Sequence, residues 1–233
     1  MFVDSSGTAV DRNLSRAIEA ACAEFIERQS IIAHWRLSTP GRPIDRPCYF
    51  SNGECSLRDV SIFPGIYVVL ALFRRNKGSC SVVKYSAGAS SSTNLNEATD
   101  KAVRECHQAY LSMQDNVFRR ATGRLLMDRI QEEYLNANKA TTVDCWPRLT
   151  STESKLHTAH VNTGTALSVL QSVLEPPLLI LDSIFYDGEP WYVARLMSDI
   201  WPAGLHDNRP SAIKALVRLT GIEECRHDAV PFG

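Results

Sequence analysis

An excess of basic charge is the first thing this sequence lacks. Lys and Arg total 25 against 26 Asp and Glu, for a net charge of −1. A dedicated nucleic-acid binder carries a clustered cationic footprint, so that class is excluded. Long apolar runs are missing too. The longest, Ile66 to Phe73, is far short of the roughly 20 residues that span a bilayer. The opening residues Met1 to Gly7 have neither the basic nor the apolar stretch of an export signal. There is no C-x-x-C pair among the seven scattered cysteines, Cys22, Cys48, Cys55, Cys80, Cys106, Cys145 and Cys225. A zinc ribbon or thioredoxin motif is thereby disfavoured, and the thiols read as reduced in a cytoplasmic protein. G-x-G-x-x-G, Walker A and G-x-S-x-G patterns are absent as well, which removes the usual nucleotide-fold and hydrolase signatures.

What remains is the composition of an ordinary globular domain, 44% hydrophobic and 22% charged over 233 residues, read here as one domain across 1–233. Residues 13–36 predict a long helix, with Ile18, Cys22, Phe25, Ile26 and Ile32 at helical spacing. Pro40, Gly41, Pro43 and Pro47 end it and open a loop to about Leu57. Ile66 to Phe73 predicts a buried strand, and Lys77-Gly78 a turn into a second strand over Cys80 to Tyr85. Residues 95–116 predict the second long helix, capped by Asn94 with Glu97 completing a capping box. Helical pattern resumes over 117–136, and 137–161 is weakly patterned. A short helix over Thr163 to Leu174 precedes two strands, Leu178 to Tyr186 and Pro190 to Met197, around the hairpin signal Asp187-Gly188. A loop from Trp201 to Pro210 and a short helix near 211–220 complete the chain. The fold class is α+β, long helices on mostly antiparallel strands.

The two long helices share a template. Ser5, Gly7, Asn13, Leu14, Ala17, Ala21, Glu24 and Glu27 recur 81 residues on as Ser86, Gly88, Asn94, Leu95, Ala98, Ala102, Glu105 and Gln108. The first seven pairs are identical and the eighth exchanges Glu for Gln, which reads as an internal pseudo-repeat. At about 100° per residue, Ala17, Ala21, Glu24, Glu27 and Arg28 share one side of the first helix, and Ala98, Ala102, Glu105 and Gln108 the same side of the second. Alanine beside glutamate leaves room for a ligand. Two such faces across a cleft would offer three carboxylates and an amide, a donor set suited to Mg²⁺ with phosphate oxygens. The competing reading of Glu-x-x-Glu-Arg is a solvated helix face with weak i,i+4 pairs.

The segment Asn13 to Ser30 resembles the second glutamate motif of the YcaO superfamily, and Lys84-Tyr85-Ser86-Ala87-Gly88 with Ala98, Glu105 and Gln108 resembles that family's next block. Pro190-Trp191-Tyr192-Val193 and the tail Val230-Pro231-Phe232 extend the likeness to the cyclodehydratase type of microcin-like azole-forming pathways. The resemblance implies an ATP- and Mg²⁺-dependent subunit that modifies backbone amides of a ribosomally made precursor peptide in bacteriocin or peptide-antibiotic biosynthesis. By carry-over, Glu24 and Glu27 would bind the metal and Glu105 and Gln108 would lie in the same nucleotide site as catalytic groups. Arg28 would meet phosphate, with Ser86 and Asn13 as further nucleotide contacts, although Asn13 also reads as a helix cap.

Two departures accompany the resemblance. The family's first glutamate-rich helix has no counterpart here, and the Pro-rich ending stops at Val230-Pro231-Phe232-Gly233. The expectation is therefore a partial YcaO-like domain that works with a separately encoded biosynthetic partner, or as a homodimer. The alternative is a non-catalytic scaffold that binds precursor peptide or partner. Neither nucleic acid nor membrane is expected. Of the remaining features, His157-x-x-His160 lacks a third metal ligand nearby, Cys106 reads as a core thiol, and Ser90-Ser91-Ser92 reads as a loop.

Overall fold

The computed structural model describes residues 7–39, 41–48, 50, 52–76, 83–123, 164–173, 175–202 and 209–223. His157 and His160, the pattern over 124–136 and the Val230-Pro231-Phe232 tail lie outside them.

Two strand–turn–helix units carry the candidate residues. Strand β1 (Thr8–Asp11) leads into helix α1 (Leu14–Arg36), and β5 (Tyr85–Ser92) leads into α2 (Leu95–Ala121). Both helices start on an asparagine cap. The Asn13 side chain accepts from the Arg16 amide at 3.1 Å, and Asn94 Oδ1 accepts from Asn96 and Glu97 at 2.9 and 3.3 Å. In each unit the residue two positions earlier holds the cap's own amide, Asp11 Oδ1 at 2.7 Å and Ser92 Oγ at 3.1 Å. The expected capping box is therefore replaced. Glu97 accepts from Ser92 Oγ at 2.8 Å and pairs with Lys101 at 3.0 Å, because the Asn94 amide already has its partner.

The strands form two antiparallel sheets. The larger has the order β2 (Arg42–Pro43), β3 (Gly53–Asp59), β4 (Tyr67–Arg75), β5, and its central β4 is buried through Phe73. The smaller has the order β1, β7 (Glu189–Met197), β6 (Leu178–Tyr186). Asp187 and Gly188, at φ 52° and 75°, make the tight turn between β6 and β7. A short helix α3 (Ala166–Gln171), capped by Thr165 with Ser168, packs against α1, and Glu19 accepts from its first amides. Pro210–Ile213 forms a 3₁₀ turn into α4 (Lys214–Thr220). Trp201, expected in a loop, is buried against Phe25 and Phe63 at ring distances of 5.9 and 5.8 Å.

Three expectations are corrected. The described strand paired with β4 on this side is Tyr85–Ser92, so Ser90-Ser91-Ser92 is the end of a strand, while the turn expected at Lys77-Gly78 and the strand start expected at Cys80 lie outside the described residues. The segment up to Leu57 contains β3, whose hydrogen bonds to β4 outweigh its polar composition. The alanines do not line a ligand cleft. Ala17, Ala21, Ala98 and Ala102 are all fully buried. Ala17 and Ala21 pack on Ala194 of β7, and Ala98 and Ala102 belong to the main core. Their small size permits close approach of helix to sheet. Gly88 shows how close, since a Cβ there would lie 2.1 Å from the Cys106 amide nitrogen and 2.5 Å from the Ala102 carbonyl.

Candidate functional site

Strand β5 is the outer strand of its sheet, so among the described residues one side of its backbone has no strand partner. Unpaired N–H groups at such an edge need other acceptors. Helices α1 and α2 supply them. The Ala89 N–H donates to the Glu105 carboxylate of α2, and the Ser91 N–H donates to the Glu27 carboxylate of α1. These amides are two residues apart and therefore share one side of the strand. Hydroxyls fasten the same strand to both helices. Ser91 Oγ donates to the Ala23 carbonyl at 2.8 Å, and Ser86 Oγ donates to the Cys106 carbonyl at 2.6 Å.

Two carboxylates from two helices thus hang on one strand edge, close enough to repel. Glu27 is pushed up to about 8, chiefly by burial. Arg28 and the Ser91 N–H pull it down, while Glu105 and Glu24 push it further up. Glu105 is also raised, again chiefly by loss of water around the carboxyl, against the pull of Arg28, the Ala89 N–H, Lys101 and Arg104. Arg28 is the cation common to both. It also faces Glu24, with Nε 4.0 Å from Oε1. Glu24, Glu27, Arg28 and Glu105 therefore form one charged cluster across α1 and α2.

The other sequence candidates stand apart. Gln108 is exposed, one turn beyond Glu105 on α2. Asn13 caps α1, about 16 Å before Glu24 at 1.5 Å per residue. Ser86 is fully buried, and its hydroxyl donates to the Cys106 carbonyl, a structural bond between β5 and α2. His107 points to the edge of the Phe50 ring, at 5.4 Å. An open groove of about 640 Å³ runs along another flank of α2, lined by Arg46, Cys48, Asn94, Glu97, Lys101 and Arg104, and contains none of the clustered acids. Sequence reading missed the Ala89 and Ser91 amides. A backbone donor has no residue-type signal, and Ser91 reads as part of a loop.

Among the described residues no group of three or more His, Cys, Asp or Glu is placed to hold a metal. Glu27 and Glu105 are a two-carboxylate set, Glu27 half-buried and Glu105 exposed, and Glu105 repels Glu27. That suits Mg²⁺, which takes one or two protein carboxylates and completes its shell with water and substrate phosphate.

The chain matches the YcaO cyclodehydratase family, described as ATP- and Mg²⁺-binding, over residues 1–174, and it belongs to that family. The microcin B17-processing protein McbD of Escherichia coli is 26% identical over 151 residues, 58% of this chain and 38% of that protein. The E. coli microcin synthetase McbBCD complex contains a chain that superposes with a TM-score of 0.76 at 21% identity, over 99% of this chain and 64% of that one. The same complex with pro-MccB17 bound gives 0.74 at 19% identity, covering 99% and 63%. YcaO from Methanopyrus kandleri, bound with AMPPCP and Mg²⁺, gives 0.55 at 18% identity, covering 83% and 54%. The chain spans less than two thirds of the length of each.

Proposed function

We propose that this chain is a subunit of an ATP- and Mg²⁺-dependent cyclodehydratase that modifies backbone amides of a ribosomally made precursor peptide. The observation that carries the reading is the convergence of Glu27 and Glu105 on the free edge of β5 in a YcaO family member. An amide oxygen is a poor leaving group, and Mg·ATP bound at this edge would supply the phosphoryl group that makes it a good one. The chain's own residues have defined tasks in this reading. Glu27 and Glu105 hold the cation, and Glu27 loses its proton to do so. Arg28 keeps the two acids compatible and would meet phosphate when nucleotide is bound. Glu24 balances Arg28. Gln108 borders the site from the next turn of α2 as a substrate-side amide. Asn13 holds the start of α1 and acts on the site only through the helix.

A partner subunit belongs to the same reading. Strand β6 is exposed along nearly its whole length and apolar on both faces, with Leu178 at 66%, Phe185 at 78% and Tyr186 at 71% exposure. A two-sided apolar edge strand is unusual on an isolated chain and supports coverage by another protein. The McbBCD likeness makes a separately encoded subunit of a peptide-processing complex the favoured cover, with a homodimer as the other outcome.

The test is phosphate release by the purified chain with precursor peptide, alone and with candidate partner subunits. Precursor-dependent release that Glu27→Gln abolishes supports the enzyme. Assembly with peptide and partner but no release by any combination would establish the non-catalytic scaffold instead.

A further inference from the structure

Between α1 and β3 the chain folds back on itself. Phe50 and Gly53 form an isolated antiparallel bridge, and Phe50 stacks on Phe73 with ring centroids 4.6 Å apart. Gly53 is required for the return, since a Cβ there would lie 2.3 Å from the Arg74 carbonyl oxygen. Cys48 and Cys55 flank this bridge, each two residues beyond it in the chain. The two thiols are neighbours, each acting on the other's titration. Cys48 lines the open groove beside α2, and both side chains are half-buried rather than sealed in the core. By contrast, Cys106 is fully buried, with its thiol directed to the Ser86 carbonyl at 3.5 Å.

We infer that Cys48 and Cys55 are a cross-strand dithiol that a small-molecule disulfide converts to an intramolecular disulfide. The Cys48 thiolate attacks one sulfur of the oxidant, forming a mixed disulfide and expelling the first small thiolate. The Cys55 thiolate then attacks the Cys48 sulfur and expels the second. Two electrons pass from the protein sulfurs to the oxidant, and the two protein protons end on the released thiols. Cys48 is the attacking sulfur because it is reached from the groove and its thiolate is favoured by Arg46. Burial raises both thiols, so the reaction quickens as pH rises. The ring it closes includes residues two positions from Arg46, which binds Asp100 at 2.7 Å on the first turns of α2.

The two cysteines fall in a single tryptic peptide, 37–58, because Arg42 and Arg46 each precede proline. The experiment treats the full chain with oxidised glutathione at alkaline pH, quenches with an alkylating reagent and maps that peptide without reduction. The expected result is a peptide about 2 Da lighter with neither cysteine alkylated, with a melting temperature about 5 °C higher that dithiothreitol reverses. In Cys48→Ser the light peptide disappears and Cys55 is alkylated or glutathionylated. A doubly alkylated wild-type peptide, a stable glutathione adduct on either cysteine, or a Cys55–Cys106 cross-link would each overturn the inference.

Discussion

Glu27 is held above its ordinary range chiefly by burial, with Glu105 and Glu24 adding repulsion. Its carboxyl keeps a proton up to about pH 8 in the folded chain, against 4.5 as the ordinary value. A folded value above the unfolded one means stability that is complete below about 4.5 and lost as pH rises through 8. The isolated chain should therefore weaken between those limits, and Glu27→Gln should flatten the slope. At pH 8 the variant should be more stable by about 1–2 kcal/mol, a discounted part of the full shift because Glu27 is half-buried, as denaturant titrations at pH 5 and pH 8 will check. Mg²⁺ should act on wild type in the opposite sense at alkaline pH, raising stability where Glu27 is ionised. Arg28→Ala removes the cation shared by both acids. It should raise both carboxyls further, so that the loss of stability with rising pH continues to a higher pH and reaches a larger total.

At the scale of elements, β5 and its two helices are the working unit, and packing there is tight. Gly88→Ala drives a methyl into the backbone of α2 and should cost about 3 kcal/mol or more. Ala98→Leu should cost about 1–3 kcal/mol by overpacking. Both are read by thermal melts. These numbers follow from a role for small residues that sequence leaves ambiguous. Alanine on a glutamate-bearing helix face leaves space either for a ligand or for another backbone, and only the position of β7 and β5 decides that it is backbone. The helices themselves were legible, since Asn13 and Asn94 are caps with a mechanism and the apolar stripes follow helical spacing. Asp187-Gly188 was legible for the same reason, as both positions need positive φ. Strand β5 was not. Its Ser, Ala and Gly residues have weak strand preference, and its conformation is set by pairing with β4 and contact with α2. The acids of the site could be read from the repeated spacing. The amides that hold two of them could not, because backbone donors are available at every residue until a sheet edge selects some.

For the whole molecule, the exposed apolar strand β6 supports action within a complex. Light scattering should find the chain alone self-associating or marginally soluble, and Phe185→Lys with Ile184→Thr should reduce that association and weaken partner binding without moving the acid cluster. The central claim is that Glu27 and Glu105, drawn onto one strand edge from two helices, hold the magnesium of a phosphoryl-transferring site. Precursor-dependent phosphate release by the reconstituted assembly tests it most directly, with wild type compared against Glu27→Gln and Glu105→Gln in assemblies shown to be intact. The account predicts a loss of about a hundredfold or more in each variant, relieved in part by raising Mg²⁺. Undiminished release in either variant, from an assembly of normal composition, would contradict it.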